Sequence, residues 1–200
     1  MTADIRLTAR GPSSGRGQSL IEFALVLPFL LLVVLGVIEV GHVLFEQQVV
    51  TRLSREGSNL ISRDVSLLDA VTALKSMSHA PIDFDNGSRV ILSVIKRGGT
   101  VGTANYDKLI LYQRYEYGTL TAQSALRTSG GGSFGAAPDY IAANSDTDPR
   151  LQLTNVANNL ITVKGGMSYV TEIFATHATI TPAFRFGVNV PAILYSIAYF

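Results

Sequence analysis

Glu22 is the only ionisable side chain between Leu20 and Ile38, inside the run "GQSLIEFALVLPFLLLVVLGVIEV" from Gly17 to Val40. A carboxylate held within hydrocarbon costs a few kcal/mol or more, so such residues are usually paired and functional. Position alone leaves a second account open, because Glu22 lies about one helical turn from the start of the run and can reach the interface by snorkelling. Few other residues carry chemistry. His42, His79 and His177 are far apart in the chain, and none belongs to an HExxH or comparable ligand spacing. Each is therefore read as structural, and no metal or other cofactor is expected. "NSDTDPR" at Asn144–Arg150 alternates oxygen donors but lacks the glycine and distant glutamate of a calcium loop, which makes it a solvated turn. "GGG" at Gly130–Gly132 fits neither a phosphate loop nor a dinucleotide fingerprint and reads as a flexible link. Tyr106, Tyr112, Tyr115, Tyr117, Tyr169, Tyr195 and Tyr199 fall in or near strand-like runs, where sheet packing explains them. No constellation supports an enzyme.

Composition agrees with this economy of chemistry. Hydrophobic residues make up 47% of the 200-residue chain and charged residues only 16%, against roughly 25% charged in an ordinary soluble domain. Sixteen basic against fifteen acidic side chains give no field that would steer nucleic acid, and no basic-aromatic patch suggests it. The chain has no cysteine, which removes disulfides and thiolate chemistry and leaves the redox compartment undecided.

The apolar block is long enough to span a membrane, since about 20 helical residues cross the ~30 Å hydrocarbon layer. Arg6, Arg10 and Arg16 precede it with Asp4 as the one acid, and Glu39 follows it. The positive-inside bias then keeps the amino terminus in the cytoplasm and places the remainder outside. A cleaved secretory signal would require a shorter core and small residues at its end, whereas this run continues into "GVIEVGHVLF". A retained single-pass anchor contacting membrane lipid is expected.

Four regions follow: a leader at 1–17, a transmembrane helix at 18–38, an amphipathic continuation with a second helix at 39–80, and a strand-rich extracytoplasmic domain at 81–200. Pro28 cannot donate to the carbonyl of Ala24 and predicts a kink. Val40, Val43, Leu44, Val50, Leu53, Leu60 and Ile61 approximate a helical stripe, so one helix should run from about Gln18 to about Ile61. Ser66 caps a second helix over Leu67–Ser78, with an apolar face of Leu67, Leu68, Val71, Leu74 and Met77, and Pro81 lies beyond its end. Strands are expected over Arg89–Lys96, Lys108–Tyr117, Met167–Thr179 and the terminal "AILYSIAYF", with a long loop or an excursion with minor structure at 128–158. The fold class is α+β: a long amino-terminal helix whose outer half packs on an antiparallel sheet of about four strands.

The stretch from Gly17 to Leu60 also resembles the amino-terminal region of the TadE-like proteins of tight-adherence (Tad, or Flp) pilus systems, with their type IV pilin-like start. The shared features are Gly17, the pair Glu22-Phe23, "LVLP" with Pro28, the Gly36–Gly41 neighbourhood, and "SREGS" at Ser54–Ser58. The resemblance implies a minor pilin or pseudopilin of the bacterial inner membrane and, once assembled, of the pilus. A prepilin peptidase would cut between Gly17 and Gln18, recognising Gly17, Glu22 and Phe23. Glu22 would become the fifth residue of the mature chain and meet the new amino group of a neighbouring subunit. Gly36 and Gly41 would allow close helix approach. Partners would be other pilin subunits, the peptidase and the inner-membrane assembly platform. Gln18 departs from this scheme, because an amino-terminal glutamine can cyclise and lose its charge. The alternative is an uncleaved, membrane-anchored extracytoplasmic interaction module; intact mass would separate the two.

Overall fold

Helix α1, Gly15–Ser62, runs unbroken for 48 residues in the computed structural model, with Pro28 inside it. The structure describes residues 15–180 and 191–200, with side chains from residue 17 onward; most of the leader at 1–17 lies outside the described residues. At ~1.5 Å per residue the helix is about 72 Å long, well beyond what local propensity stabilises without packing. Its outer part finds that packing on the sheet. Helix α2, Leu67–Met77, starts at Ser66, whose Oγ accepts from the Asp69 amide at 3.1 Å and donates to the Asp69 carboxylate at 2.7 Å. Leu67, Ala70, Val71 and Leu74 form its buried face. Met77, expected on that face, is 41% exposed because the helix ends where it turns away from the core.

Strands β1 (Ser88–Arg97), β2 (Leu109–Gly118), β3 (Met167–Thr176) and β4 (Ile193–Tyr199) make one antiparallel sheet in the order β2-β1-β3-β4. Alternation along β1 divides the core in two. Val90, Leu92 and Val94 turn to the helices, joining Val50, Leu53, Ile61, Leu74, Ile173, Ala175 and Leu194 in one cluster. A bulge between Val94 and Ile95 shifts the register against β2. Ile95 belongs to the opposite cluster with Leu109, Leu126, Ile161 and Val170.

The stretch between β2 and β3 covers that second face. Leu126, Leu151 and Ile161 are buried, and isolated bridges pair Ile110 with Gln152 and Thr128 with Leu153. What reads in sequence as a small-residue loop at 128–158 is a packed layer, because both faces of the sheet are apolar and each needs a cover. Gly132 serves this layer with φ +76°; a Cβ there would sit 2.1 Å from Leu151. Asn105, fully buried, donates from Nδ2 to the Ser145 and Asp148 carbonyls at 2.7 and 2.8 Å. The oxygens of "NSDTDPR" are thus engaged in holding a turn: Asp148 Oδ1 accepts from the Arg150 amide and Asp146 from Thr100 Oγ1.

One buried carboxylate sits on this side. Glu172 accepts from the Ala125 amide at 2.7 Å, from Tyr195 Oη at 3.0 Å and from Ser124 Oγ. Arg114 completes the group, donating to Ser124 Oγ at 2.9 Å. Burial lowers the pKa of Arg114, while burial and the Glu172 charge push the Tyr195 phenol up. These bonds tie the covering layer to β3 and β4 across the sheet.

The outer half of α1 lies against β3 and β4 at close range. Gly57 allows it: a Cβ there would fall 2.7 Å from Thr171 Cγ2 and 2.8 Å from its Oγ1. On the same face Ser54 Oγ meets Ser196 Oγ at 2.9 Å, and Ser58 Oγ donates to the Ala198 carbonyl at 2.9 Å. The spelling "SREGS" therefore has a mechanical meaning: its small residues seat the helix on the sheet, while Arg55 points outward. Gly57→Val should lower the melting temperature by about 3–10 °C, corresponding to about 1–3 kcal/mol of overpacking. Thr171→Ala in the same chain should recover part of that loss, as read by thermal unfolding in detergent.

Candidate membrane anchor and assembly helix

The inner half of α1 has no core of its own. Leu20, Phe23, Phe29 and Val33 are each more than 60% exposed. Among the described residues one helix is long and apolar enough to cross a membrane, with a mean hydropathy of 2.8 over its most apolar window. So much apolar surface on one element needs a cover other than water, and this suggests membrane anchoring. Glu22 is exposed on this surface, and its Oε1 accepts from Gln18 Nε2 one turn earlier at 3.1 Å. The expected cleavage pair Gly17-Gln18 lies in the first turns of α1. Phe23 is exposed beside Glu22, and Pro28 sits within the apolar stretch.

Burial begins at Leu35 and Gly36, which are half-buried, and Glu39 is fully buried. Gly41 is exposed, with open space where a Cβ would project. The two small residues proposed for helix packing therefore differ in exposure, Gly36 half-buried and Gly41 exposed.

The stripe read from sequence is correct at Val50, Leu53 and Ile61, which are buried, and wrong at Val40 and Leu44, which are 48% and 59% exposed. Between them the helix turns a charged face inward. Glu39, His42 and Glu46, at i, i+3 and i+7, lie against the chain just after β3. There the Ile180 amide donates to both Glu39 oxygens, at 3.3 and 3.2 Å. His177 Nδ1 contacts Glu46 Oε2, and its Nε2 stands 3.5 Å from Glu39 Oε1. His42 Nε2 lies 3.6 Å from Glu46 Oε1. The ring centroids of His42 and His177 are 5.9 Å apart.

Two of the three histidines are thus brought together, contrary to the reading of them as isolated; His79 remains outside the group. The i, i+3, i+7 spacing of Glu39, His42 and Glu46 was visible in the sequence. Its meeting with His177 was not, because that depends on where β3 ends. Val40, Leu44 and Phe45 face outward opposite this charged face, so the exposed apolar surface continues past residue 38 to Phe45.

A membrane role for the exposed surface makes a direct prediction. Leu31→Asp exchanges an apolar residue for a charge near the middle of the span, at a cost of about 3–4 kcal/mol. The fraction retained in membranes after an alkaline carbonate wash should fall sharply. Val101→Asp, on an exposed turn of the outer domain, should leave it unchanged.

No curated protein and no solved structure matches the chain. A protein-family model does: the family described as TadE-like protein matches residues 17–59, under a quarter of the sequence. The matched stretch covers the exposed apolar surface, the inward charged face and "SREGS", and stops near the carboxyl end of α1. Over the helix that carries these features the chain is similar to TadE-like proteins.

Proposed function

We propose that the chain is a minor pilin or pseudopilin that is processed by a prepilin peptidase and takes part in assembling or priming a Tad-type pilus. The observation that carries this reading is the coincidence of the TadE-like match with a helix whose inner half is apolar, uncovered and marked by a single carboxylate. The helix is the assembly element, and the outer domain holds its far half rigid. The arginine-bearing leader stays at the cytoplasmic face of the inner membrane, where the peptidase cuts between Gly17 and Gln18. The domain stands on the opposite side, available to other subunits and to the assembly platform.

Cleavage would create an α-amino group at Gln18, and Glu22 of an adjoining subunit would neutralise it. A desolvated charge left without its partner typically costs several kcal/mol, so the pair favours subunits docked in register. Within one chain Gln18 Nε2 already donates to Glu22. The intersubunit pair replaces that weaker neutral contact with a charge-assisted one.

Intact mass of membrane-extracted protein should give a chain beginning at Gln18, or its cyclised form. A chain that keeps Met1–Gly17 would instead support the uncleaved anchored module. Glu22→Ala should leave membrane insertion unchanged and reduce incorporation into pili by about tenfold or more, the effect of losing only ~1.4 kcal/mol of subunit affinity. Unchanged incorporation in that variant would remove the charge pair from the mechanism.

A further inference from the structure

The group at the head of the outer domain goes beyond the pilus reading. We propose that His42, Glu46 and His177 form a binding site for a divalent transition-metal cation of the zinc class, with Glu39 as the carboxylate that orients His177. One ligand atom from each of the three residues lies within 4.8 Å of the others. An ion with bonds of about 2.0–2.2 Å gathers such a set through side-chain rotations on the order of an ångström. Two imidazoles and one carboxylate suit zinc and its neighbours better than calcium or magnesium, which prefer oxygen shells.

Burial supports the assignment. The His177 side chain is 1% exposed and Glu46 10%, whereas His42, at 34%, leaves a route for the ion to enter. His42 Nδ1 and His177 Nε2 are buried without a hydrogen-bond partner, an arrangement that a closed hydrogen-bond network would not leave. A neutral imidazole carries its proton on either ring nitrogen, so each ring can offer a lone pair to an ion from one nitrogen and an N–H to a neighbour from the other. The Glu39 oxygen 3.5 Å from His177 Nε2 is placed to accept that N–H, as outer-sphere carboxylates do for metal-bound histidines.

The site joins two parts of the chain that are 131 positions apart. It sits where α1 emerges from its apolar stretch, and it fastens that helix to the segment after β3. In a chain without cysteine, a metal is an available cross-link of this kind.

The test uses full-length protein purified in detergent, stripped with chelator, exposed to zinc chloride and desalted before elemental analysis. Wild type and His79→Asn should each retain about one zinc per chain and melt higher with zinc than without. His42→Asn, a change at a part-exposed position compatible with folding, should bind at least about tenfold more weakly and lose the zinc-dependent shift. Glu46→Gln should behave in the same way. Cobalt substitution should give visible absorption typical of nitrogen and oxygen ligands in wild type but not in His42→Asn. Failure of wild type to retain zinc, or equal retention by folded His42→Asn, overturns the proposal.

Discussion

The close seating of α1 on β3 and β4 is the constraint from which the rest of the molecule follows. A helix of 48 residues cannot stand in water on its own propensity, and its inner half offers nothing to the protein core. Only the outer half can hold it. Gly57 brings helix and sheet within reach, and Ser54 and Ser58 satisfy polar groups on β4. Because this contact is close and directional, it fixes the rotation of α1 about its own axis. That rotation decides which residues are presented outward along the whole apolar stretch.

The same rotation accounts for the charged inward face that follows the apolar stretch. With Val50, Leu53 and Ile61 held in the core, helical periodicity turns Glu39 and Glu46 toward the domain and Val40, Leu44 and Phe45 away from it. A soluble amphipathic helix would reverse this arrangement. Here the outward surface is continuous with the apolar stretch below it, so whatever covers the inner half, lipid or neighbouring helices, can extend about two turns further along α1. Buried charge on the inner side meets polar partners: the Ile180 amide donates to Glu39, and the His177 ring nitrogen contacts Glu46.

The sheet is also covered on its far side, which makes the outer domain a three-layer body with α1 and α2 on one face and the 119–166 excursion on the other. Buried Glu172, bonded to that excursion and to β4, couples the covering layer to the strand on which α1 rests.

Much of this was legible in the residues themselves. The apolar run from Leu20 to Ile38, the helix continuing toward Ile61, the cap at Ser66 and the four strands all follow from short-range periodicity and turn chemistry, which depend only on near neighbours. Glu22 was marked out because a lone charge in an apolar run is a local anomaly, and the helical "SREGS" could be quoted although its purpose could not be derived. Tertiary structure alone decided that Gly57 meets Thr171, that the small-residue excursion is a packed layer, that Val40 and Leu44 face outward, and that His42 and Glu46 meet His177. Those outcomes depend on the register between elements separated by tens of residues to more than a hundred, and no pattern within one helical turn or one strand encodes that register.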